Sequence, residues 1–164
     1  MTNRQLISST KKLLTSKRLP LKHRLNHNDH KKTSSGHGVY ALWDKDELLY
    51  VGHARTAKKA KTAEFSGIKN RLQSHWYGGG SLGLYLLVVK IAPTVGKSHW
   101  TRLANGEESI HKRTQTYVRD NLSYSFLECS TREASANLER WIHAKHSPLL
   151  NMLRKKNKMI EQPK

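Results

Sequence analysis

The sequence predicts an α+β fold, and three observations carry that expectation. Two short runs rich in β-branched and aromatic residues, 38–43 and 48–52, flank a polar turn at 44–47 and read as an antiparallel hairpin. The run LGLYLLVVKI at 82–91 is apolar on both faces, which reads as a central strand within 81–91. Between and after these runs, apolar residues recur at helical spacing behind capping signals, so helices alternate with the strands.

The elements follow in order. Residues 1–35 carry Arg4, Lys11, Lys12, Lys17, Arg18, Lys22, Arg24, Lys31 and Lys32 against one acid, Asp29. A short basic helix before Pro20 is expected, then a loop; a solvated arm and a docked DNA-binding arm both fit that composition. His23, His27 and His30 have helix-like spacing but lie among Asn and Lys, without the apolar surroundings that hold metal ligands in place. After the hairpin, a lysine-rich loop at 54–63 leads to Ser66, a candidate N-cap, and to a helix through Tyr77 that Gly78, Gly79 and Gly80 stop. Ile68, Leu72 and Trp76 form its buried stripe. Pro93 ends the expected central strand. Asn105 and Glu108 have capping-box spacing and open a helix to about Asn121, and 123–129 reads as a further strand. Ser130 and Glu133 form a second such box, opening a helix through His146 that buries Leu138, Trp141 and Ile142 before Pro148. Beyond Asn151, Arg154, Lys155, Lys156 and Lys158 make a basic end.

Charge narrows the partner. The chain has 30 Lys and Arg against 12 Asp and Glu, a formal net charge of +18, and such a surface repels itself unless it meets a polyanion, of which nucleic acid is the commonest in a cell. Its apolar runs fall short of the roughly 20 residues that span a bilayer, and the basic N-terminus lacks the apolar stretch of a signal peptide. A soluble, cytoplasmic protein without a membrane partner is the expectation. The single cysteine, Cys129, excludes an intramolecular disulfide and a multi-thiolate zinc finger.

Candidate functional residues sit on the hairpin and two helices. Tyr40 and Tyr50 each have a glycine two positions away, in Gly38-Val39-Tyr40 and Tyr50-Val51-Gly52, and glycine there lets backbone or ligand approach closely. Arg71 and His75, four apart, share a helix face and suit a phosphate. Glu139 is a lone acid beside Leu138 and Trp141 and needs a partner, for which His143 one turn on is a candidate. Taken singly, the tyrosines read as ordinary strand aromatics and Arg71 and His75 as a solvated helix face. Asp44, Asp46, Glu107 and Glu108 read as turn and capping acids.

Taken together, these residues resemble the GIY-YIG nuclease superfamily, in a small stand-alone form. The two triplets, with valine at the middle position, are followed in order by Arg71-x-x-x-His75, by Leu138-Glu139 with Trp141-Ile142, and by Pro148 and Asn151. The resemblance spans about 36–152. An insertion around 93–121 falls outside it, as do the basic arm at 1–35 and the tail at 153–164.

What the resemblance implies is a three-stranded antiparallel sheet, with room for a fourth strand, flanked by helices. It implies an endonuclease that hydrolyses DNA phosphodiester bonds with one divalent cation, Mg2+ or Mn2+, and no small-molecule cofactor. Tyr40 would be the general base and Tyr50 would orient the water. Arg71 would neutralise the scissile phosphate, and His75 would assist the tyrosine pair or the leaving side. Glu139 would be the one metal ligand, and Asn151 would hold the local structure and the phosphate. A phenol is a poor base at neutral pH, so Tyr40 must sit among positive charges, from Arg71, the metal or one of Lys58, Lys59 and Lys61. Restriction, repair and mobile-element roles all use such a module, and one strand-cutting site implies a homodimer or two successive nicks for duplex cleavage. The alternative is a basic nucleic-acid-binding protein that keeps the fold without cutting.

Overall fold

The computed structural model describes residues 1–21, 36–54, 67–78 and 80–151. Their architecture is α+β, a four-stranded antiparallel sheet flanked by helices. Helix α1 (Asn3–Thr15) opens with a complete capping box between Thr2 and Gln5 and buries Leu6, Thr10 and Leu13, one residue per turn. Strand β1 is only Leu19–Pro20, paired with β4 (Leu122–Glu128). Strands β2 (Gly38–Asp44) and β3 (Glu47–Ala54) form the expected hairpin, with Lys45 at φ 52° in its tight turn. The strand order is β1-β4-β2-β3.

The inner positions therefore belong to β4 and to β2, which is buried along nearly its whole length, and not to 81–91. That segment is helical: α3 (Gly80–Leu86) runs into a π-helical turn at Leu87–Ile91 and a 3₁₀ turn at Ala92–Thr94. An unbroken apolar run has no period of its own. Wound as a helix, it sends Leu82, Leu86 and Ile91 inward and leaves Leu84 and Val88 about 60 % exposed.

Alternation along β2 builds two cores. Tyr40 and Leu42 face a cluster with Ile68, Leu72 and Trp76 of α2 (Gly67–Trp76), Leu82 and Leu86 of α3, and Val118 of α5 (Ile110–Asn121). Val39, Ala41 and Trp43 face the other side, where Leu6 and Leu13 of α1 and Leu138 and Ile142 of α6 (Arg132–His146) close over them. Helix α1 and strand β1 are thus packed onto the sheet, so this part of the arm is not a solvated one. His23, His27, His30, Ser66, the lysines at 58, 59 and 61 and the tail beyond 151 lie outside the described residues.

Two helix starts differ from expectation. Asn105 does not open a helix; it closes α4 (Lys97–Ala104), and Gly106 follows at φ +74°. Helix α5 starts later, where the Ser109 side chain accepts from the Lys112 backbone N–H. Helix α6 is capped by Thr131, one residue beyond Ser130, with its hydroxyl accepting from Ala134. Some acids expected only at turns and caps also make tertiary pairs. Asp44 accepts the Tyr117 hydroxyl at 2.6 Å and lies 3.5 Å from Lys90, while Glu108 pairs with Arg102 and Arg113. Among the described residues no helix is long and apolar enough to cross a membrane.

Candidate active site

The two glycine-bearing triplets meet across the hairpin. Tyr40 lies opposite Gly52, and Leu42 opposite Tyr50. Between Leu42 and Trp43 the register slips, so that Leu49 is an extra residue on β3, and both Leu49 and Tyr50 join the core of the Tyr40 face. A Cβ on Gly52 would stand 2.5 Å from the Tyr40 hydroxyl and 2.8 Å from Cε1 of Tyr50. One on Gly38 would run into Ile68 of α2 and stand 2.7 Å from the Leu127 carbonyl oxygen. Each glycine makes room for a neighbour that positions the site. Gly52→Ala is expected to cost about 1–3 kcal/mol through overpacking and to spread the tyrosines; urea denaturation of the variant against the parent measures it.

Helix α2 brings His75 to the tyrosines because it stands one residue before the buried Trp76. Its Nε2 shares a 2.7 Å hydrogen bond with the Tyr40 hydroxyl. The His75 ring centroid is 5.5 Å from each tyrosine ring, and the two tyrosine rings are 6.1 Å apart. Burial first, and then the Arg71 guanidinium, lower the His75 pKa from 6.5 to about 4. His75 is therefore neutral at pH 7. Tyr40 is only 2 % exposed. Burial holds its phenol well above 10, Tyr50 and Glu139 push the same way, and Arg71 opposes them. The positive surroundings that a tyrosine base requires are thus not supplied by Arg71 alone.

The His75 shift links to stability with a definite sign. Between pH 6.5 and 4 the unfolded imidazole binds a proton that the folded one refuses. The contribution is complete above pH 6.5 and is lost as pH falls toward 4, to a limit of about 3 kcal/mol at 1.36 kcal/mol per pKa unit. His75→Gln is expected to flatten this part of the pH dependence in urea denaturation run between pH 7 and 4.

Glu139 and Asn151 reach the site around the edge of the sheet. Among the described residues strand β3 has no strand on its outer side, so its alternate backbone groups need other partners. Asn151, 6 % exposed, accepts from the Val51 N–H at 2.8 Å and donates to the Val51 carbonyl at 3.0 Å. His143 Nε2 donates to the same carbonyl at 2.9 Å, so His143 is not the partner of Glu139. That partner is His53. Its backbone N–H donates to Glu139 Oε1 at 3.2 Å, and its ring Nδ1–H donates to Oε2 at 2.6 Å.

The donor set limits what cation fits. Among the described residues no three His, Cys, Asp or Glu side chains converge. Glu139 is a half-buried carboxylate whose two oxygens each keep a lone pair after the bonds to His53. One carboxylate of this kind fits a hard, water-rich cation such as Mg2+, whose remaining ligands are waters and phosphate oxygens. It does not make a full cage.

All six expected site residues belong to this hairpin and the elements around it. Tyr40, Tyr50 and His75 form one cluster, Arg71 and Glu139 act on Tyr40 through their charges, and Asn151 acts through β3, its amide committed to Val51. Sequence reasoning does not single out His53, and it places His143 at Glu139, whereas the His143 ring bonds the Val51 carbonyl. His53 lies on β3 and holds Glu139, while His143 caps a β3 carbonyl from α6, and only knowledge of which strand lies at the edge gives them these roles. Comparison of the chain with protein-family models, with curated proteins and with solved structures gave no match.

Proposed function

We propose that this protein is a metal-dependent DNA endonuclease of the GIY-YIG type, a phosphodiester hydrolase with Tyr40 as its base. The observation that carries the reading is the Tyr40–His75 hydrogen bond, inside a cluster reached by both the Arg71 and the Glu139 charges. In this mechanism the attacking water gives its proton to the Tyr40 phenolate, whose oxygen neutral His75 steadies by donating its Nε2–H. Tyr50 holds the hydroxyl of Tyr40 in line. Arg71, exposed at the surface, meets the phosphate as negative charge builds and the bond to the leaving sugar oxygen breaks. Glu139 would hold the cation. Bound Mg2+ or Mn2+ supplies positive charge that favours phenolate and neutralises the phosphate.

A second reading, a basic nucleic-acid-binding module that does not cut, is favoured by one observation, the burial of Tyr40 in the free protein. Incubation of the purified protein with magnesium and plasmid, branched DNA or RNA separates the two. Discrete plasmid fragments support a restriction-like enzyme, and cuts confined to junctions support repair. Binding to every form with cutting of none leaves the binding module.

A further inference from the structure

We propose that His53 is the positioning residue that aims the Glu139 carboxylate, and with it the metal, at the scissile phosphate; this rests on the reading of Glu139 as the metal ligand. The argument begins with where Glu139 comes from. It projects from α6, which packs on the sheet face opposite to the one that carries Tyr40, Tyr50 and His75. To serve the tyrosine side, its carboxylate must be drawn to the rim formed by β3.

His53 stands at that rim and holds both carboxylate oxygens. Its backbone N–H takes Oε1 at 3.2 Å and its Nδ1–H takes Oε2 at 2.6 Å. The backbone bond alone would leave the carboxylate free to rotate about it. The ring bond fixes the plane. Because Nδ1 must carry the proton to donate to a carboxylate, the tautomer is set by this contact as well. One lone pair on each oxygen is used, so those that remain point in a single set of directions. The pair is itself only partly screened from solvent, with side chains 29 % and 18 % exposed, so a hydrated cation can reach it. Partners that orient a ligating carboxylate in this way change metal affinity by about 10–100-fold when removed.

Manganese binding read by electron paramagnetic resonance, on the protein bound to a short duplex, tests this independently of cutting. The Glu139→Ala protein sets the background from other sites. His53→Ala is expected to weaken the Glu139-dependent binding by about 10–100-fold and to raise the half-saturating magnesium concentration for cleavage more than it lowers kcat at saturation. His53→Asn, whose amide N–H stands near the place of Nδ1–H, is expected to recover most of the affinity. His53→Gln, whose donor lies nearer the place of Nε2, is expected not to. If the alanine variant does not fold, the Asn and Gln proteins decide the matter. Equal manganese affinity in the parent and His53→Ala, or Asn and Gln variants that behave alike, overturns the proposal. A parent that cuts no DNA while His53→Ala still loses manganese would sink the nuclease reading and leave the positioning role standing.

Discussion

Replacing Glu139 with Ala is expected to abolish cleavage in magnesium while duplex binding in calcium or EDTA stays the same or strengthens. The two halves of this outcome have separate causes. Binding rests on cations spread over a chain of net charge +18, so its affinity should fall with salt at a log–log slope of about −0.9 per phosphate neutralised. Removing one carboxylate relieves repulsion and subtracts nothing from that sum. In the proposed mechanism cleavage needs the metal, and among the described residues Glu139 is the carboxylate whose charge reaches Tyr40. Gel shifts and cutting assays in matched salt make the comparison. A Glu139→Ala protein that cuts as well as the parent returns the chain to the class of basic binding modules.

Tyr40→Phe is expected to lower turnover by about 10²–10⁴, the range for loss of a general base, with folding retained. The ring stays in its core and only the hydroxyl leaves. His75 then loses its bond on Nε2, but imidazole and hydroxyl go unpaired together in no sense, since the hydroxyl is absent, so the cost is the desolvation of one nitrogen, about 1–3 kcal/mol. The pH profile carries the same chemistry. With the phenol held above 10 in the free protein, the rate should rise with pH from 6 to 9 without a plateau, as the deprotonated fraction grows. A plateau well below pH 9 reports that bound cation and phosphate have brought the phenol down into that range. A flat profile with chemistry rate-limiting, or a Tyr40→Phe protein at the parent rate, removes tyrosine as the base.

What was legible in the sequence follows from which signals are local. The hairpin was readable because alternation, turn chemistry and two glycines agree over a few residues, and the Ile68, Leu72, Trp76 stripe because its period is helical. The run at 82–91 was misread because a buried strand and a buried helix look alike when both faces are apolar. Asn105 has the chemistry of either helix end, and only the presence of α4 before it decides which. Tyr40, His75 and Glu139 were identifiable as residue types in a resembling order. That Tyr40 is buried, that His75 is neutral and that His53 grips Glu139 are long-range facts, set by packing between residues far apart in the chain.

The capped rim of β3 has a consequence for assembly. Asn151, His143 and Glu139 occupy backbone groups of Val51 and His53 that an incoming strand would need. At the opposite edge β1 is two residues long and one of them, Pro20, has no N–H to offer. Among the described residues the rim of β3 is closed to strand addition at Val51 and His53, whereas β1 covers β4 only at Ser123 and Tyr124. Two copies of this chain, if they join to cut both strands of a duplex, are therefore kept from pairing through β3, and the sheet does not grow into a continuous ribbon on that side.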